Sequence, residues 1–172
     1  GPERTFTEAE ITIHVAPIND APGVSTSDYL LVPFVAYAQN ASIVLGTNAP
    51  IIGDPDDFDR PSDSTPLELN LSILEGTLTV AAFPGVVCLQ QTETMVKLTG
   101  SARDLNAALR SAVGYRAARH RRLHASPNIM TVTVMDEEGL RASGETEIIP
   151  ERGDGVPALV CSSDIQKVTE DG

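Results

Sequence analysis

At 172 residues and 41% apolar content, the chain can bury a real core, enough for one domain and a fraction of another. Its 24 acidic against 12 basic side chains give a formal charge of −12, a field that repels nucleic acid and anionic lipid head groups and attracts cations. No run approaches the roughly 20 apolar residues of a membrane-spanning helix, so this segment is expected to enter no membrane and to bind no nucleic acid.

Glu10 to Val15 alternates, with Ile11, Ile13 and Val15 on one face and Glu10, Thr12 and His14 on the other, which predicts a half-buried antiparallel strand. It runs into HVAPINDAP, where Pro17 and Pro22 remove two backbone donors and stiffen the connector around Asn19 and Asp20. A second strand ending in IIPERGDGVP mirrors this arrangement near the end of the chain. The two connectors bracket one whole module and recur at roughly 130 residues, longer than the about 100 of an ordinary immunoglobulin-like unit. Residues 1–18 then read as the last strand of a preceding repeat, 19–153 as a complete repeat, and 154–172 as a linker and the start of the next. A chain divided in this way is expected to come from a longer tandem array, and such arrays usually serve as scaffolds or adhesins.

Within the module, Asp28 to Ala38 and Ser42 to Leu45 read as short strands, and Gly46 to Pro66 as a loop rich in Asp, Pro and Ser. Leu67, Leu69, Leu71 and Ile73 alternate, and Glu75-Gly76 reads as a tight turn into Thr77 to Ala81. Further strands are predicted at Gly85 to Leu89 and Thr94 to Leu98. SARDLNAALRS carries the one helical pattern, with Ser101 as cap, Asp104 three residues on, and Leu105, Ala108 and Leu109 on the core stripe. Val113 to Arg116, Ile129 to Met135 and Glu145 to Ile149 complete the strands. Many short strands with regular turns predict an all-β, two-sheet sandwich with one short helix.

The acidic residues concentrate in two loops. Asp54, Asp56, Asp57 and Asp59 crowd GDPDDFDR, with Asp63 beyond, and mutually repelling carboxylates invite Ca²⁺, a hard ion taking about 6 to 8 oxygens. The competing reading is a solvated acidic loop. Asp136-Glu137-Glu138-Gly139 reads equally as part of an ion site or as an ordinary hairpin turn. The twelve-position ladder of an EF-hand is missing.

Asn40-Ala41-Ser42 and Asn70-Leu71-Ser72 fit the glycosylation acceptor pattern, so Asn40 and Asn70 are candidate sugar sites and weak pointers to an extracellular location. Arg119, Arg121 and Arg122 in RAARHRRLH form a basic loop, read either as solvated or as a lateral contact on an acidic neighbour. Cys88 and Cys161 are too few and too far apart for a disulfide framework or a paired zinc site. G-x-S-x-G, H-E-x-x-H and Walker patterns are absent, and no enzyme activity is expected.

Taken in order, the PIND-AP connector, the GDPDD loop, EGTLTV, LTGSARDLNAALRSAVGYRA, TVTVMDEEG and the final alternating strand resemble the cadherin-like, immunoglobulin-like tandem repeats of very large surface and secreted proteins. The resemblance spans nearly the whole module, Ile11 to Asp154, and LNAAL with GTLT upstream is its most specific part. It implies a Ca²⁺-stiffened rod of β-sandwiches, extracellular or at the cell surface, that serves adhesion or extracellular structure, with neighbouring repeats as partners. By the cadherin arrangement, Asn19, Asp20, Asp54 and Asp56 would hold ions at the first seam; Asp136, Glu138, Asp154, Glu170 and Asp171 would hold them at the second. Two departures stand out. Gln39-Asn40 replaces the acidic pair that family members carry near the first strand, and Arg152-Gly153 alters the second connector. Two other readings compete: a glycosylated filament or flagellar hair built from many copies, and a carbohydrate-binding accessory module of a secreted enzyme. With no Trp, three Tyr and four Phe, the chain offers few platforms for stacking sugars.

Overall fold

The computed structural model describes residues 1, 10–14, 18–55, 65–118 and 127–151, and these form a predominantly β architecture of three sheets. The first part holds β1 (Gly23–Ser25), β2 (Tyr29–Val32), helix α1 (Phe34–Gln39), β3 (Ile43–Val44), a 3₁₀ turn at Gly46–Asn48 and β4 (Ile51–Gly53). Next come β5 (Leu67–Ile73), β6 (Thr77–Val80), β7 (Val86–Gln91), β8 (Met95–Gly100) and helix α2 (Ala102–Ser111). Three strands close the sequence: β9 (Val113–Arg116), β10 (Asn128–Met135) and β11 (Arg141–Pro150).

The alternation read in Leu67–Ile73 is realised residue by residue, since Leu67, Leu69, Leu71 and Ile73 are buried while Glu68, Asn70 and Ser72 are not. β5 sits inside a six-stranded sheet ordered β2-β11-β10-β5-β8-β7, antiparallel throughout except for the parallel pair β2 and β11. A three-stranded sheet, β3-β9-β6, and a two-stranded pair, β1-β4, supply the opposing side. One apolar cluster joins them, with Leu69, Leu71, Val96, Val132 and Val134 from the large sheet and Leu78, Val113 and Tyr115 from the small one. This is the layered, single-core arrangement of an all-β sandwich.

Helix α2 forms where the cap and the apolar stripe predict it. Ser101 accepts a hydrogen bond from the Asp104 backbone N–H at 3.1 Å, and Leu105, Ala108 and Leu109 are fully buried. Its half-buried Asn106 then grips β4 by both ends of the amide. The Ile52 N–H donates to Asn106 Oδ1 at 2.8 Å and Asn106 Nδ2 donates to the Ile52 carbonyl at 2.7 Å, so the helix fixes the strand that leads to Asp54.

Glu10–His14, the described part of the strand read at Glu10 to Val15, pair with no strand among the described residues, and Ile11 and Ile13 are 82% and 79% exposed. Two sequence expectations are corrected. The strand expected through Ala38 stops at Val32, and Phe34–Gln39 turns helical, giving two α-helices among the described residues instead of one. Pro33 stands at the first turn, Glu151 Oε2 accepts from the Phe34 N–H at 3.2 Å, and Asn40 at φ 54° closes the helix with Ala41 N donating to the Ala36 carbonyl. The 46–66 loop contains the 3₁₀ turn and β4. The tight turn expected at Glu75-Gly76 carries the chain from the large sheet to the small one.

That crossing needs a glycine. Gly76 has φ 104°, and a Cβ there would lie 2.6 Å from both the Arg116 carbonyl oxygen and the Tyr115 ring. Buried Asn128 holds the same corner: its Nδ2 donates to the Glu75 carbonyl at 2.8 Å and to Tyr115 Oη at 3.0 Å, while its Oδ1 accepts from the Glu75 N–H at 3.0 Å.

Candidate cation site at the connector end

Gly23 pairs with Gly53, which places the start of β1 beside the end of β4 and therefore brings the connector residues Asn19 and Asp20 to the same end as Asp54. The turn between β10 and β11 lies at this end too. Asn19 Nδ2 donates to Asp136 Oδ2 at 2.8 Å, a bond between residues 117 positions apart. Asp54 and Asp136 are buried, at 3% and 5% exposure, whereas Asp20 and Glu138 are exposed.

Asp136 also organises its own turn. Oδ1 accepts from the Leu140 N–H at 2.8 Å, the Leu140 carbonyl accepts from the Asp136 N–H, and the Glu138 and Gly139 N–H groups point toward the carboxylate. Gly139 takes the positive φ of 88° that the turn requires. The hairpin reading and the connector reading of this aspartate therefore coexist in one side chain.

Burial, the largest single influence, acts to raise the Asp136 pKa, but the Asn19 amide and the backbone N–H groups of Leu140, Glu138 and Gly139 outweigh it, so the carboxyl titrates below the ordinary aspartate value. The unfolded chain thus takes up this proton first as pH falls. The stabilisation is complete well above an unfolded pKa of about 3.9 and is lost as the pH drops through the lower folded value. Asp136→Asn is expected to flatten the acid limb of stability below about pH 5. Urea midpoints at stepped pH check this, and an unchanged acid limb would assign the proton uptake to other carboxylates.

The grouping of candidate ligands by chain order is corrected here. Asp136 precedes β11 and Glu151 comes after it, and ten extended residues separate the two by about 30 Å. Asp136 and Glu138 therefore belong to the end that holds Asn19 and Asp54, not to the end where the second connector begins. Asp56, Asp57, Asp59, Asp63, Asp154, Glu170 and Asp171 lie outside the described residues, as do Arg119, Arg121 and Arg122.

Among the described residues, no group of three or more His, Cys, Asp or Glu side chains is gathered as a metal centre would require. What the structure does show is a connector amide bonded to buried Asp136, with a second buried carboxylate, Asp54, following β4. Of the sequons, Asn40 occupies the turn after α1, while Asn70 lies mid-strand between Lys97 and Thr133 with its Oδ1 buried and without a hydrogen-bond partner. Among the described residues no helix is long and apolar enough to cross a membrane. No protein-family model and no curated protein matches this sequence.

Proposed function

We propose that the chain is a calcium-binding, immunoglobulin-like (cadherin-like) repeat of a large extracellular surface protein, a segment whose role is to keep length and stiffness between neighbouring modules. The observation that carries this reading is the bond from Asn19 in the stiff connector to Asp136 in a loop of the body, at the end that also holds buried Asp54. The strand order agrees with it: β3-β9-β6 opposes β11-β10-β5 as two antiparallel sheets of an immunoglobulin-like sandwich oppose each other.

The donor set suits a hard cation. Asp54, Asp136 and the Asn19 side-chain oxygen would supply oxygens only, although the Asp136 carboxylate already accepts from the Asn19 amide and from the backbone N–H groups of its own turn. Those residues fall short of the about 6 to 8 oxygens Ca²⁺ takes, so Asp56 and groups from the preceding module would complete the shell. The ion supplies charge neutralisation between modules. The chain's own contribution is to fix the connector against the sandwich before the ion arrives.

The test is a tandem of two modules joined by HVAPINDAP, melted in 10 mM calcium and in chelator. Extracellular calcium modules have Kd values of about 0.1 to 1 mM, so saturation is worth about 1.4 to 2.7 kcal/mol and a shift of several degrees. Small-angle scattering should show a longer, stiffer particle. Asp136→Asn should abolish both effects, and a tandem whose melting and dimensions ignore calcium would refute the reading.

A further inference from the structure

The end of the sandwich opposite Asp136 is built differently. Helix α1 stands there with Phe34 at 42% and Val35 at 62% exposure, and Ala38 and Gln39 are exposed as well. No charged residue occurs from Tyr29 to Gly53, in a chain of net charge −12. A six-residue helix is too short to persist on its own hydrogen bonds, and this one is instead held by Pro33, by the Glu151 carboxylate at its first turn and by Asn40 at its last. The sequence therefore maintains an uncharged, apolar helix at the surface.

Glu151 is the key to the covering of this helix. Its carboxylate accepts from the Phe34 N–H at 3.2 Å, so the chain leaves the sandwich against the first turn of α1. Residues 152–172 continue from that point, and Val156-Pro157-Ala158-Leu159-Val160-Cys161, an apolar run without charge, begins five residues on. Five extended residues reach about 17 Å, whereas α1 is about 9 Å long. The tether holds the run at millimolar effective concentration beside the helix, which favours this occupant over a second copy.

We propose that α1 is the docking surface for the chain's own continuation, Val156 to Cys161, so that this end of the module is joined to its C-terminal neighbour by apolar contact and not through an ion. Gln39 and Asn40, which close α1, are uncharged and suit such a contact. The two ends of the module then answer to different chemistry, and only the Asp136 end responds to calcium.

The full chain carrying Cys88→Ser and Val35→Cys leaves Cys161 as the only native thiol and places a new one on α1. Mild oxidation in chelator should give an intramolecular disulfide, and adding Leu159→Asp should slow its formation about tenfold while the melting temperature stays the same. Tether length is identical in the two proteins, so the difference reads docking alone. In the otherwise native chain, Leu159→Asp should also speed hydrogen exchange of residues 34–39 about tenfold and leave residues 95–111 unchanged. Equal disulfide rates with unchanged exchange would overturn the proposal, as would cross-links found mainly between molecules, which would give the surface to a second copy. Because all measurements are made without calcium, the fate of the cation reading does not affect them.

Discussion

Leu105→Ala is expected to destabilise the fold by about 2 to 5 kcal/mol, in calcium and in chelator alike. Leu105 is fully buried on the stripe of α2 that faces the sandwich, together with Ala108 and Leu109, and the truncation removes its methyl groups from the shared cluster without any group free to refill the space. The loss is a substantial share of the about 5 to 15 kcal/mol that holds a domain folded. Denaturant titration measures it directly. The consequence extends beyond the core, because Asn106 on the same helix clamps Ile52 of β4, and β4 leads into Asp54. Calcium affinity, where retained, should therefore fall only to the extent that the helix loosens. Asp136→Asn should show the opposite balance, with the core intact and calcium dependence lost. Equal destabilisation of the two variants in chelator would contradict the division between core and cation site.

Elements whose burial is one-sided and local were legible in the sequence. β5 announces itself through four apolar residues at period two, and α2 through a serine cap and a stripe at helical spacing, since each pattern is set by which face meets the core. Helix α1 was not legible as a helix because Phe34, Val35 and Tyr37 favour strands on propensity, and most of the helix is exposed, so no stripe forms. Its punctuation was present all the same: Pro33 at the first turn and Asn40 after the last are start and stop marks. β4 was hidden for another reason. Ile51–Gly53 is three residues long and is fixed by a side chain 54 positions away, which no local window reveals.

The candidate site divides along the same line. Asn19, Asp54 and Asp136 could be singled out by residue type and by their loops, and two of them proved to be buried carboxylates. Their grouping could not be read from chain order. Asp136 lies most of a module beyond Asn19, yet β10 returns the chain to the end where β1 starts, and β11 then carries it about 30 Å away before the second connector begins. Topology, and not proximity in sequence, decides that the Asp136 loop lies beside the first connector.

Asn128→Leu is expected to cost about 2 to 4 kcal/mol, although the two side chains share one branched skeleton and Asn128 starts the strand whose far end leads to Asp136. Asn128 is 1% exposed at the start of β10, and its amide makes three hydrogen bonds at the corner where the chain passes from the large sheet to the small one. Leucine takes away the acceptor for the Glu75 N–H and a donor each for the Glu75 carbonyl and Tyr115 Oη, at a place where Gly76 leaves no space for rearrangement. Tyr115→Phe removes less, because its hydroxyl donates to the Glu75 carbonyl at 3.3 Å and Asn128 still serves that carbonyl at 2.8 Å; about 0.5 to 1.5 kcal/mol is expected. Since the two side chains bond each other, the double variant should cost less than the sum of the single ones, by about 0.5 kcal/mol or more. Denaturant midpoints for the four proteins decide it. Strict additivity would mean that the Asn128–Tyr115 bond contributes no coupling and that each side chain acts only through its own contact with Glu75.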